Sequence, residues 1–71
     1  MYHRLRALRE DRDLNQTEVA RLLHVSQTTY SRYENGALDI PSATLIALAE
    51  FYRVSVDYLL GLTEDPRPYR T

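Results

Sequence analysis

At 71 residues and 8.3 kDa, the chain has room for one small domain, since domains typically hold about 100 to 150 residues. A composition of 44% hydrophobic and 27% charged residues is that of a globular chain rather than a disordered tail. The absence of cysteine excludes a disulfide framework, a Cys-based zinc site and a thiol nucleophile. The formal charge of −1 argues against a broadly basic surface, yet it is unevenly spread. Residues 1–35 hold six Arg and five acids (net +1), and residues 36–71 hold three Arg and five acids (net −2). All the cationic side chains are Arg and none is Lys, which suits bidentate hydrogen bonding. No apolar run approaches the roughly 18 residues of a membrane span, and Met1-Tyr2-His3-Arg4 leads into no signal-peptide stretch, so the expected location is the cytoplasm. A core this small supplies only about 3 to 5 kcal/mol, which dimerisation would supplement.

Taken in chain order, Tyr2 to about Arg12 reads as an amphipathic helix, with Leu5 and Leu8 three apart and Arg4, Arg6, Arg9, Glu10 and Arg12 elsewhere. Asn15 with Glu18 forms an Asn version of the capping box and opens a second helix carrying Val19, Ala20, Leu22 and Leu23. His24-Val25 breaks that pattern, and Ser26 caps a third helix running to about Glu34, closed by Asn35-Gly36. Ser42 can cap a fourth, in which Leu45, Leu48, Ala49 and Tyr52 follow helical spacing, and Ser55 a short fifth ending at Gly61. Residues 63–71 contain two prolines and almost no apolar side chain; they are expected to form a flexible tail behind a domain of residues 1–62. No segment alternates with period two long enough to be a strand. The expected fold is all-α, a compact five-helix domain.

The second and third helices, joined by about three residues, have the dimensions of a helix-turn-helix, whose second helix can enter a DNA major groove about 12 Å wide. Residue type sharpens this. Val19, Ala20, Leu23, Val25, Tyr30 and Tyr33 are expected to be buried, and Gln27, Thr28, Thr29, Ser31 and Arg32 exposed. A merely solvated face would more often carry Glu and Lys, whereas Gln reads adenine and Arg reads guanine through paired hydrogen bonds. Tyr30 and Tyr33 read as core rather than as stacking platforms. His24 reads as a solvent-facing turn residue, and with His3 it makes neither a catalytic set nor a metal site; no enzyme activity, metal, cofactor or small-molecule ligand is expected.

At this point the chain resembles the lambda-repressor-like, or Cro/repressor-type, helix-turn-helix regulators. The resemblance runs through Leu5-Arg-Ala-Leu-Arg-Glu10, Leu14-Asn-Gln-Thr-Glu-Val-Ala20, Val25-Ser-Gln-Thr-Thr-Tyr-Ser-Arg-Tyr-Glu-Asn-Gly36, Ile40-Pro-Ser42, Leu45, Leu48-Ala49 and Val54-Ser-Val-Asp-Tyr-Leu-Leu-Gly61. It implies that Gln27, Thr28 and Arg32 are the main base readers. Ser26, Thr29 and Ser31 match positions that touch base edges, thymine methyls or backbone. Gln16 is implied to contact a phosphate and brace the recognition helix, with Asn15, Asn35 and Gly36 as flanking phosphate clamps. Arg9 and Glu34 match a structural ion pair tying the first helix to the third, and Tyr58 and Leu62 lie where relatives form a two-fold interface. Two departures stand out: His24 and Asp13 occupy positions where family members commonly have Gly, and Ala37-Leu38-Asp39 replaces a frequently basic loop. The function implied is a sequence-specific, double-stranded DNA-binding regulator, probing a palindromic operator as a homodimer and acting as a repressor of phage or mobile-element type. The alternative is an antitoxin-like protein-interaction module using its C-terminal helix or tail.

Overall fold

A computed structural model describes residues 2–68; the last part of the expected tail, residues 69–71, lies outside the described residues, as does Met1. The described chain forms five helices and no strand: α1 (His3–Asp11), α2 (Gln16–Leu22), α3 (Gln27–Asn35), α4 (Ser42–Tyr52) and α5 (Val56–Leu59). Local side-chain chemistry sets most of the boundaries. The Asn15 side chain accepts from Glu18 N while Glu18 accepts from Asn15 N, both at 2.8 Å, completing the capping box of α2. Ser26 Oγ accepts from Thr29 N at 3.1 Å and Ser55 Oγ from Tyr58 N at 3.0 Å, starting α3 and α5. Gly36, at φ 77°, closes α3 in the left-handed conformation.

Two boundaries differ from expectation. Ser42 is the first residue of α4 rather than its cap; Pro41 takes the N-cap position and no side chain bonds there. The proline ring fixes φ near −65°, and with ψ at 150° Pro41 delivers the chain straight into the helix. The fifth helix is a single turn, with Leu60 as its C-cap, and Gly61 at φ 79° makes the turn that follows.

Asp13 and His24 adopt φ of 56° and 60°, as their glycine-like positions demand; Asp and His are among the non-glycine side chains that tolerate this region best. Arg53, at φ 58° as the C-cap of α4, carries no such tolerance. Arg53→Gly is therefore expected to raise stability by about 0.5 to 1 kcal/mol, the relief of left-handed strain exceeding glycine's added unfolded-state entropy. A thermal melt should show a rise of a few degrees, and no rise would show that the strain is absorbed elsewhere.

The core comprises Leu5, Val19, Ala20, Tyr30, Tyr33, Leu48, Ala49, Tyr52, Val54 and Leu59, drawn from all five helices and the α4–α5 connection. Tyr30 and Tyr33 are buried as expected and meet edge to face, their centroids 6.5 Å apart. Leu23 and Val25, expected to be buried, are only half-buried, at the rim where α2 turns into α3. Arg4 closes the other end of the molecule. Its guanidinium lies 4.0 Å from the Tyr58 ring centroid, donates to the carbonyls of Tyr58 and Thr63, and pairs with Glu64 at 3.2 Å. Ser55 N donates to Pro66 O, so the segment after α5 runs back along the domain at least that far.

Candidate nucleic-acid interface

α3 packs against α2 and presents its other side to solvent. Gln27, Thr28 and Arg32 are exposed, whereas Thr29 and Ser31, expected to be exposed, are half-buried. Thr29 is drawn in by the cap, its Oγ1 accepting from Ser26 Oγ at 2.9 Å. Gln16, Gln27, Thr28, Ser31, Arg32 and Asn35 line a polar cleft of about 450 Å³ between the start of α2 and the face of α3. Thr17 Oγ1 donates to Gln27 Oε1 at 3.1 Å, which orients that amide. A carbonyl oxygen has a second lone pair, so Gln27 keeps an acceptor and its NH₂ donors for a base edge. The Arg32 side chain is exposed, lines the cleft and has no hydrogen-bond or ion-pair partner among the described residues.

The acid on α3 is withdrawn from this surface. Glu34 is buried, with Arg9 Nε donating to its Oε2 at 2.7 Å and Arg9 Nη2 to its Oε1 at 3.2 Å. Such a fork is the strong geometry for a guanidinium and a carboxylate. Arg9 Nη1 donates further to Leu14 O at 2.9 Å, and Gln16 Nε2 to Glu34 Oε1 at 3.3 Å. Burial would raise the Glu34 carboxyl, but the Arg9 donors, with help from Gln16, hold it below its ordinary value. The same hydrogen bond pushes Arg9 up. The Tyr30 hydroxyl lies near enough to Glu34 for burial and that charge to push the phenol up, yet outside hydrogen-bonding geometry. Burial, then Glu34, likewise pushes Tyr52 up to about 12.

The consequence is electrostatic. With Glu34 turned inward and neutralised, the solvent-facing side of α3 carries uncharged hydrogen-bonders and one unpaired cation, Arg32. A chain of net charge −1 can therefore present a locally positive, anion-free helix face. Of the residues matched to phosphate contacts, Gln16 and Asn35 line the cleft, Asn15 is exposed at the α2 cap and Gly36 is exposed at the end of α3. Tyr58 is half-buried with a ring face covered by Arg4, while Leu62 is 71% exposed. Among the described residues no group of three or more His, Cys, Asp and Glu could hold a metal ion, and no helix is long and apolar enough to cross a membrane.

The bond from Gln16 to Glu34 was not legible in the sequence: the two residues stand 18 positions apart and no local pattern joins them. Arg6 was also missed, because the three arginines on α1 look alike until the fold separates them; it lines a second cleft with Arg9, Gln16, Glu34 and Asn35.

An all-helical domain with this two-helix unit is a helix-turn-helix protein, and the sequence model of the helix-turn-helix family matches residues 5–59; the chain belongs to that family. Its curated relatives include the uncharacterized HTH-type transcriptional regulator YobD of Bacillus subtilis, 42% identical over 92% of this chain and 58% of the relative. The cryptic phage CTXphi transcriptional repressor RstR of Vibrio cholerae is 41% identical over 86% of this chain and 55% of that protein. The antitoxin PezA of Streptococcus pneumoniae is 32% identical over 80% of this chain and 36% of its own length. The chain thus spans little more than half the length of the first two relatives and about a third of the antitoxin's. No solved structure is significantly similar to it.

Proposed function

We propose that the chain is a sequence-specific, double-stranded DNA-binding transcriptional regulator, acting as a repressor, with α3 laid in the major groove. The observation that carries this reading is the outward face of α3, stripped of its acid by the Arg9–Glu34 pair and furnished with Gln27, Thr28 and an unpaired Arg32. Gln27 and Arg32 read base edges through paired hydrogen bonds, Thr28 with them, and Ser26, Thr29 and Ser31 add shorter contacts. Gln16, Asn15, Asn35 and the backbone at Gly36 grip the flanking phosphates and set the register. Relatives named as a transcriptional regulator and a repressor support the same reading. The protein is no enzyme, needs no cofactor, and works in the cytoplasm. It binds as a homodimer through Tyr58 and the exposed Leu62, so that two copies of α3 lie about 34 Å apart, one turn of DNA.

Adding an arbitrary-sequence duplex at low salt tests the placement. Amide shifts should move at residues 15–16 and 26–36. Movement confined to α4 and α5, or none in a folded protein, would contradict it. Sedimentation should show a dimer that Leu62→Asp dissociates; a monomer throughout would remove the two-fold interface. A second reading has its own support: an antitoxin relative, and an apolar groove of about 660 Å³ along α4 and the start of α5, lined by Ile46, Val54, Val56 and Pro68 among others. In that reading the α5 end binds a protein, and DNA binding is secondary.

A further inference from the structure

The cleft on the α3 face adjoins a second one. Arg6, Arg9, Gln16, Glu34 and Asn35 line a polar hollow of about 240 Å³, which shares Gln16 and Asn35 with the first. The two polar hollows therefore adjoin across Gln16 and Asn35, one on the outward face of α3 and the other beside α1. Beside α1 the two arginines are in opposite conditions. Arg9 is 11% exposed, with Nε, Nη1 and Nη2 all donating inside the protein and its charge cancelled by Glu34. Arg6 is 57% exposed and held by a single contact, Nε to Glu10 Oε2 at 3.1 Å. An exposed pair one helical turn apart holds weakly and is screened by salt.

We propose that Arg6 is a DNA phosphate contact, and that Glu10 competes with the DNA for it. The proposal rests on the DNA-binding reading above and extends it. A backbone that passes Gln16 and Asn35 meets the Arg6 guanidinium next, and that is the cation lining the hollow whose carboxylate partner, Glu10, is itself exposed and exchangeable. A guanidinium matches a phosphate in a two-pronged geometry, and neither of the neutral amides beside it can supply the charge. On binding, the Glu10 bond is exchanged for the phosphate and one condensed counterion leaves the DNA.

The test measures affinity against salt concentration for a selected duplex and a random one, in wild type, Arg6→Gln, Glu10→Gln and the double variant. Arg53→Gln serves as control, because that residue lines neither cleft. Arg6→Gln should weaken both duplexes by the same factor, roughly three- to tenfold at low salt, and make the salt slope shallower by about 0.9. Glu10→Gln should tighten both by roughly two- to threefold in the wild-type background and do nothing in the Arg6→Gln background, whereas a general charge effect would persist there. Arg53→Gln should leave the slope unchanged. The exposed sites of Arg6 and Glu10 predict unaltered melting temperatures, so a mere fold defect is separable. If wild type binds, and Arg32→Ala abolishes its base preference, while Arg6→Gln keeps the wild-type slope, the Arg6 assignment is overturned and the DNA reading stands. If wild type binds neither duplex, the DNA reading itself fails.

Discussion

Arg9→Ala is expected to cost about 3 to 5 kcal/mol, the effect of removing one partner of a buried ion pair and leaving the other charged and enclosed. A domain of this size holds only about that much in total, so the variant should be largely unfolded at 25 °C by circular dichroism. Glu34 has nowhere else to turn: it is 3% exposed, and without Arg9 its remaining side-chain donor is the Gln16 amide at 3.3 Å. Replacing both members with apolar residues of similar volume should recover much of the loss, because the cost lies in the stranded charge. A melting temperature within a degree or two of wild type in Arg9→Ala would show that the pair contributes little. The pair also has a pH signature. The folded-state carboxyl of Glu34 lies below its ordinary 4.5, so its stabilisation is complete above that value and is lost as pH falls through the folded pKa. Stability should therefore decline below about pH 4.5, with a smaller decline in Glu34→Gln.

The second large effect concerns recognition. Arg32→Ala and Gln27→Ala should each cost about 1 to 3 kcal/mol at the preferred site, roughly 5- to 150-fold in Kd, and relax the preference at one base pair. The structure separates the two in kind. Arg32 is unpartnered and its loss leaves nothing behind, whereas Gln27→Ala also frees the Thr17 hydroxyl that donates to it. Competition binding against single-base-pair variants reads the difference. Equal loss on every sequence for Arg32→Ala would mean that it grips phosphate instead of reading a base.

Features written in a few adjacent residues were legible from sequence. The Asn15–Glu18 box, the Ser26 and Ser55 caps and the left-handed Gly36 each act within about four positions, and each appears where that chemistry places it. The left-handed Asp13 and His24 were readable as substitutes for glycine. Arg53 was not, because nothing local marks an arginine for positive φ and only the packing of α4 against α5 forces the turn there. Thr29 and Ser31 were misjudged as exposed, since helical spacing alone cannot say how far the α2–α3 contact wraps around α3. The adjoining hollows were hidden for the same reason: Gln16, Asn35 and Arg6 come from three elements, and only their packing brings them together.

The central claim is that α3 reads a defined DNA sequence. Selection of binding sites from a random duplex library at near-physiological salt tests it most directly, because it presumes nothing about the operator. An inverted repeat with half-site centres about ten base pairs apart should be enriched, and should be lost from the library selected with Arg32→Ala. A folded protein that enriches no sequence would contradict the claim and turn attention to the α4–α5 groove and a protein partner.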